Sequence, residues 1–309
     1  MKELEHLLQD DTAGHPMTGL QWARKTTRTL AAELEARSLS ISPNTVGSLL
    51  RDLNYSLRVN RKSIAETRHP DRDQQFRYLT RVKQDFLLRG QPVLSVDSKK
   101  RELVGAFKNP GSTWRRQADD VLVHDFPSVA EGVALPYGLY DVALNQGYVV
   151  VGTSKDTAAF AVDAIELWLS SYGWWNYPHL TELLILCDAG GSNSCRTHLW
   201  KYALSQRVAQ EHGIAVTVCH YPPGASKWNP VDHRLFSFIS LNWAGVPLRN
   251  YETVLNRIRT TTTRTGLSVD ATLHPTIYET GVKVDAEQFS QIHLQHHDIL
   301  PQWNYTIES

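Results

Sequence analysis

Hydrophobic positions along the chain follow two different spacings, and the change between them falls near residue 91. Up to that point apolar residues recur every three or four positions, which predicts helices over residues 20–36, 42–56 and 69–90. From residue 91 onward, short continuous apolar runs alternate with amphipathic stretches, a pattern typical of an α/β domain with a largely buried mixed sheet. The pattern therefore predicts a helical front part followed by an α/β domain.

The predicted division of the chain follows this change of spacing. We expect a helical module over residues 1–62, a connecting helix over 63–90, the α/β domain over 91–245 and a C-terminal extension over 246–309. The predicted strands are residues 92–97, 102–107, 147–154, 182–188 and 214–221. The predicted helices after residue 91 are 156–173, 195–213, 230–243 and, in the extension, 251–264. The pattern indicates no role for the extension.

The front module contains two helical stretches joined by a short turn, which matches a helix-turn-helix that binds DNA. Ser42 is a suitable N-cap for the second helix, and Pro43 suits its first position. The outer face of that helix would then consist of Asn44, Thr45, Ser48 and Arg51. The basic residues that follow, Arg58, Arg61 and Lys62, favour the DNA interpretation because phosphate contacts need cations. An ordinary helical hairpin is the alternative.

Charge is distributed unevenly although the formal net charge is zero. Residues 18–101 carry 17 Lys and Arg against 8 Asp and Glu, whereas the rest of the chain is acidic. A basic front on an acidic rear is expected when one module binds a polyanion and another does something else. Hydrophobic residues make up 41% of the chain and charged residues 21%, which is ordinary for a soluble globular protein.

Several classes of protein do not match the sequence. No apolar run has the length of a membrane span, and the acidic start is unlike a secretory signal. The three cysteines lack any Cys-x-x-Cys spacing, which argues against a structural zinc site and fits a reducing cytoplasm. The chain contains no GxxxxGK[ST] phosphate loop and no Gly-x-Ser-x-Gly nucleophile motif. We therefore expect neither ATP dependence nor esterase-type catalysis.

Three aspartates carry the candidate chemistry. Asp97 and Asp188 each end an apolar strand, and Asp232 lies at the start of a predicted helix behind a Pro-Pro-Gly turn. A single aspartate at a strand end often only caps the following turn. Together, three carboxylates on a buried sheet suit a hard divalent cation such as Mg²⁺, and a pair of such ions can promote phosphodiester chemistry. We expect the three carboxylates to converge on one point, with the Trp228-Asn229-Pro230 segment fixing where the last helix begins.

Several long words of the sequence resemble one known family. They include "SVDSKKRELVGAFKN", "CDAGGSNS", "CHYPPGASKWNPVDHRLFSFIS", "TTTRTGL" and the ending "WNYTI", and they occur in order from about Leu20 to the end. In these words the chain resembles the ISAzo-type insertion-sequence transposases of bacteria, members of the DDE superfamily. The resemblance implies a ribonuclease-H-like catalytic fold and a metal-dependent enzyme that cleaves and joins DNA strands.

The resemblance also implies roles for particular residues. Asp97, Asp188 and Asp232 would be the catalytic acids and would bind Mg²⁺, or Mn²⁺ in its place, without a covalent enzyme intermediate. The partner would be double-stranded DNA, as element ends and as target, bound by a homo-oligomer in the bacterial cytoplasm at the nucleoid. Further candidates for phosphate contacts are Lys99, Lys100, Lys227 and Arg234, for which a solvated surface is the alternative.

The sequence departs from the family at two points. Family members usually have Glu as the third acid and carry more chain at the front, with another helical DNA-binding segment. Here the third acid is an aspartate, Asp232, and the related mariner-like transposases also use an aspartate as their third acid. Two alternatives stay open: a DNA-binding remnant that regulates related elements, and a nuclease of the same fold that hydrolyses DNA without joining strands.

Overall fold

The computed structural model describes residues 2–14, 21–23, 26–53, 55, 69–225 and 228–309. Four predicted DNA-binding residues, Arg58, Arg61, Lys62 and Lys227, lie outside these ranges. The chain forms two compact units, Met1–Ile64 and Ala65–Ser309.

The first unit consists of helices packed around a small apolar core. Its helices are α1 (Lys2–Asp11), α2 (Thr27–Ala36) and α3 (Pro43–Asp52), and its strands β1 (Thr12–Gly14) and β2 (Gln21–Ala23) form an antiparallel pair. The buried side chains at its centre are Leu4, Leu7, Leu8, Leu30, Ala31, Leu34 and Val46. The two predicted helices of the helix-turn-helix are therefore present, while their use as a DNA-binding motif stays a prediction.

Helix α2 is shorter than predicted because its N-cap lies inside the predicted range. The side chain of Thr26 accepts a hydrogen bond from the backbone N–H of Thr29, which begins the helix at Thr27 rather than at Leu20. Residues Gln21–Ala23 instead pair as strand β2. In α3, Ser42 is the N-cap and Pro43 the first helical residue, as predicted.

The second unit contains one large sheet with helices on it. Its helices are α4 (Arg72–Leu88), α5 (Ala158–Trp168), α6 (Trp174–Asn176), α7 (His198–Leu204), α8 (Ser237–Asn242), α9 (Tyr251–Arg259) and α10 (Ala286–Ser290). Its strands are β3 (Val93–Ser98), β4 (Glu102–Val104), β5 (Gly132–Asp141), β6 (Gln146–Gly152), β7 (Glu182–Asp188), β8 (Ala215–Tyr221), β9 (Ser268–His274), β10 (Leu294–His296) and β11 (Asn304–Ile307). Among the described residues, π-helical turns at Leu169–Gly173, Ser205–Gln210 and Asp232–Phe236 adjoin helices.

The order of strands in the sheet is β10-β11-β8-β7-β3-β5-β6-β9, with β4 paired to β5. Strands β3, β5 and β6 form an antiparallel meander, and β3, β7 and β8 run parallel. In a ribonuclease-H-like sheet, three strands form an antiparallel meander, and the first of them also pairs with a strand that runs parallel to it. The predicted α/β class, with a ribonuclease-H-like mixed sheet flanked by helices, is confirmed, whereas the preceding helix-turn-helix stays a prediction.

Strand β5 is the longest of the described strands that the pattern did not predict. It contains Pro136 and Gly138, which normally mark turns or strand ends. In the sheet, its residues from Ala134 to Asp141 are buried between β3 and β6. The carbonyl of Pro136 accepts a hydrogen bond from the backbone N–H of Lys99, so the proline, which has no N–H to donate, still takes part in the pairing.

The C-terminal residues complete both edges of the sheet. Strand β9 pairs parallel to β6, while β11 pairs antiparallel to β8 and β10 to β11. The side chain of Asn304 in β11 is fully buried and exchanges two 2.8 Å amide hydrogen bonds with Gln75 of α4. The region for which the pattern indicated no role is therefore part of the sheet.

Helix α4 covers one face of the sheet with its apolar side. Leu79 and Phe86 are buried, and Phe76 and Val82 pack beside them against β3, β7 and β8. No helix in the described ranges of the chain combines the length and the apolar composition that crossing a membrane requires.

Two glycines of the sheet allow close approach of the segment that begins at Asp232. A side-chain carbon at Gly138 would lie 2.6 Å from the ring of Phe236, and one at Gly147 would lie 2.4 Å from Leu235. Gly138 is the direct register partner of Asp97. The backbone of the Asp232 segment can therefore approach the sheet next to Asp97 only because these two positions carry no side chain.

Replacing Gly138 with alanine tests this contact. We expect Gly138→Ala to lower the free energy of unfolding by about 1–3 kcal/mol, the usual cost of overpacking a core, measured by urea denaturation. Adding Phe236→Leu to the variant should restore part of the loss. Gly190→Ala is the control, because an added carbon there meets no atom within 4 Å and the backbone φ is −126°. Equal stability of the two glycine variants would contradict the interpretation.

Candidate active site

The fold brings the three predicted aspartates to one region of the sheet. Asp97 in β3 and Asp188 at the end of β7 follow directly after Val96 and Cys187, which are register partners on the parallel strands. Asp232 begins the π-helical turn that packs over Gly138, beside Asp97. Residues separated by more than 130 positions along the chain are therefore neighbours in the fold.

The three carboxylates lie close enough to raise one another's pKa. Burial raises the pKa of Asp97 to about 7, and the charges of Asp188 and Asp232 add to the rise. Burial likewise raises the pKa of Asp188 to about 6, again with a contribution from Asp232. The pKa of Asp232 itself is raised by burial. Each ionised carboxylate therefore makes ionisation of its neighbours less favourable.

The donor set fits a hard divalent cation, because every candidate ligand atom is a carboxylate oxygen. One oxygen of Asp97 accepts a 2.8 Å hydrogen bond from the backbone N–H of Ser98. Within the described residues, however, no three His, Cys, Asp or Glu side chains are gathered around a single point that could hold an ion. The expected convergence of all three acids is thus not present as one closed cage. Mg²⁺ sites ordinarily use one or two carboxylates, with waters and substrate phosphates completing the shell.

Asn229 connects the segments that carry the three acids. Its side chain is fully buried, and its Nδ2 donates to Asp188 Oδ1 at 3.3 Å and to the carbonyl of Val96 at 3.2 Å. Its Oδ1 accepts from the hydroxyl of Ser95, which itself accepts from the backbone N–H of Val231 at 2.9 Å. The sequence predicted that the segment around Asn229 fixes the helix start, but not these side-chain bonds to both strands.

A buried histidine, His220, forms a hydrogen bond with the backbone carbonyl of Asp188. Burial lowers the pKa of His220 to about 4, so the ring is neutral near pH 7. Its Nδ1 lies 3.0 Å from the carbonyl of Asp188 and its Nε2 3.1 Å from the hydroxyl of Tyr305. A carbonyl can only accept, so Nδ1 carries the proton and Nε2 accepts from Tyr305. The C-terminal strand β11 therefore reaches the strand end that carries Asp188.

A fourth acid beside the site was not predicted. Asp156 is exposed, accepts a 2.8 Å hydrogen bond from the hydroxyl of Ser98, and also contributes to the raised pKa of Asp97. It follows closely after strand β6, which ends at Gly152. An acid shortly after an apolar strand is the same signal that indicated Asp97 and Asp188, and it could have been applied here.

The predicted DNA-binding residues occupy different surroundings. On α3, the side chains of Asn44, Thr45, Ser48 and Arg51 are all exposed. In the second unit, Lys100 and Arg234 are exposed as well. Lys99 is not free for DNA in the same way, because its Nζ lies 3.1 Å from Glu102 Oε1 and 4.8 Å from the centre of the Trp243 ring. Their contacts with DNA stay predictions.

A family model described as the Rhodopirellula transposase DDE domain matches residues 3–309. The chain belongs to this family. The resemblance that the sequence motifs indicated is confirmed, and the protein is a transposase of the DDE superfamily.

Among solved structures, this transposase is similar to complexes of Mos1 transposase. The Mos1 paired-end complex with left transposon end shares 18% identity over 82% of this chain and 68% of the Mos1 chain, with a TM-score of 0.44. The Mos1 mariner paired end complex with Mn shares 17% identity over 82% and 68% of the two chains, with a TM-score of 0.43. Among curated proteins, no sequence matches the transposase.

The raised pKa of Asp97 predicts that the site destabilises the metal-free transposase at alkaline pH. In the unfolded chain the pKa returns to about 4, so the folded state holds the proton more tightly. The stability from this group is complete below pH 4 and is lost as the pH rises through about 7. We expect Asp97→Asn to raise the free energy of unfolding in EDTA by about 1–3 kcal/mol at pH 8, and by less at pH 5.

Urea denaturation at the two pH values measures this effect. Replacement of the exposed Asp125 with Asn is the control, since that side chain lies in a solvated loop. An Asp97→Asn protein that is less stable than the parent at pH 8 would contradict the electrostatic interpretation.

Proposed function

We propose that this transposase cleaves DNA at the ends of its insertion sequence and joins them to target DNA, with Asp97, Asp188 and Asp232 as the catalytic acids. The observation that carries the proposal is the presence of these three half-buried, mutually repelling carboxylates at one region of a ribonuclease-H-like sheet. Burying like charges together is unfavourable unless a cation is to be bound between them.

The proposed cofactor is Mg²⁺, with Mn²⁺ as a possible replacement, held by Asp97, Asp188 and Asp232. Bound there, the metal would activate the attacking oxygen and stabilise the leaving oxygen of a phosphodiester. The protein contributes the positions of the carboxylates, which the rigid strands β3 and β7 and the packed Asp232 segment hold. Water would attack first at the element end, and the freed 3′ hydroxyl would then attack the target.

The proposed partner is double-stranded DNA, as element ends and as target. The exposed outer face of α3 and its basic continuation would read the element end, and Lys100 and Arg234 would contact phosphates near the acids. Because two element ends must be joined, we propose that the transposase acts as a homo-oligomer assembled on DNA. Its place of action would be the bacterial nucleoid.

Cleavage of DNA that carries the element's own ends tests the catalytic proposal. With Mg²⁺ or Mn²⁺ we expect nicked ends and strand-transfer products, and neither product in EDTA. Asp97→Asn should lower the cleavage rate more than about 100-fold, because losing only an outer partner of a metal ligand costs 10–100-fold. Binding of the same DNA, measured by gel shift, should be retained.

The same experiment separates the alternatives. DNA binding by the parent protein without cleavage in either metal would support a regulatory remnant, for which Asp232 in place of Glu is the motivating observation. Cleavage without strand-transfer products would support a nuclease. Cleavage that survives in Asp97→Asn would contradict the assignment of the acids.

Neighbouring lysines should differ in their effect on DNA binding. Lys100 is exposed, so Lys100→Ala should weaken binding severalfold at low salt and reduce the slope of log affinity against log salt by about 1. Lys99 is engaged with Glu102, so Lys99→Met should lower the melting temperature and leave the slope unchanged. Fluorescence anisotropy at several salt concentrations measures both slopes. Equal slopes for the two variants would contradict the distinction.

A further inference from the structure

We propose that Asn229 is a positioning residue of the site, which orients the Asp188 carboxylate and ties the segment of Asp232 to the strand of Asp97. The inference rests on the proposed function. Asn229 touches neither DNA nor the reacting atoms in this proposal, and it acts through the acids. Its side chain has no exposed surface and bonds to residues of both strands.

The orientation of the Asn229 amide follows from the hydrogen bonds around it. The hydroxyl of Ser95 accepts from the backbone N–H of Val231, which can only donate. The hydroxyl of Ser95 donates its single proton to Asn229 Oδ1. With Oδ1 thus assigned, the Nδ2 group is directed at Asp188 Oδ1 and at the carbonyl of Val96. A flipped amide would place oxygen against two acceptors.

The same residue fixes the start of the Asp232 segment. The backbone N–H of Asp232 donates to the carbonyl of Asn229 at 3.2 Å, and the N–H of Val231 is bound by Ser95. Pro230, between them, has no N–H to satisfy. The first polar groups of the segment are therefore bound to Asn229 and to Ser95, which lies two residues before Asp97 on β3. Movement of Asn229 would shift Asp232 and release Asp188 together.

A second buried asparagine provides a matched control. Asn304 is equally buried, and its Nδ2 donates to Gln75 Oε1 and to the carbonyls of Ile299 and Leu300. It bonds to none of the three acids through its side chain. A role in stability alone would make Asn229→Ala and Asn304→Ala similar, whereas a positioning role predicts that only the first variant changes metal binding.

The test measures Mn²⁺ binding to the full chain by isothermal titration calorimetry without DNA, below the melting temperature of every variant. We expect Asn229→Ala to raise the Kd for Mn²⁺ by about 10–100-fold, as loss of an outer partner of a metal ligand does. Asn304→Ala should keep the Kd within about twofold of the parent value. A Kd in Asn229→Ala that equals the parent value would overturn the proposal.

Ser95→Ala keeps the proposal testable if Asn229→Ala does not fold. This variant keeps Asn229 and Asp188 but removes the hydroxyl that holds the Asn229 amide in its orientation. It should therefore also raise the Kd for Mn²⁺, by about 3–10-fold. The Mg²⁺ concentration for half-maximal cleavage should rise in the same variants.

If the parent protein neither binds Mn²⁺ nor cleaves, the proposed function fails and this inference with it. If the parent does both and Ser95→Ala and Asn229→Ala bind Mn²⁺ equally well, only this inference fails.

Discussion

The site depends on the close contact between the Asp232 segment and the glycine-bearing face of the sheet. Gly138 pairs directly with Asp97 in the sheet and also contacts the ring of Phe236. One backbone position therefore lies beside both Asp97 and the Asp232 segment. Because interiors are densely packed, a side chain there would displace the segment rather than be absorbed. The approach of the Asp232 segment to the sheet beside Asp97 therefore depends on the absence of a side chain at Gly138.

The sequence was sufficient to predict the parts of the fold whose pattern is local. Strands β3 and β7 are short, largely apolar runs that end near Asp97 and Asp188, and their length and flanking residues favour strands over helices. The cap of α3 at Ser42 was equally predictable, since a cap needs only its own turn. The choice of Asp97, Asp188 and Asp232 as candidate acids rested on their positions at strand ends and at a helix start, and their catalytic role stays a prediction.

Other parts could not be predicted because their cause lies far away in the chain. Pro136 and Gly138 argue locally against a strand, and β5 forms because β3, β6 and the Asp232 segment surround it. The bonds of Asn229 join residues separated by 41 positions at Asp188 and by 134 at Ser95, which no spacing rule indicates. The arrangement of the acids was likewise only partly predictable: they lie in one region of the sheet, but the predicted convergence on one point is not found among the described residues.

The energetics of the acids favour an enzyme over a DNA-binding remnant. Burial and like charge raise the pKa of both Asp97 and Asp188, so in the absence of a cation their ionisation reduces the stability of the fold. Binding DNA requires none of these half-buried carboxylates, and asparagine or alanine in their place would relieve the repulsion. The buried Asn229 amide also donates a hydrogen bond to Asp188. A protein that only binds DNA would not need Asp188 to be held in this way. Features that lower stability persist where function needs them, and in the proposed function the carboxylates are needed to bind a divalent metal for phosphoryl transfer.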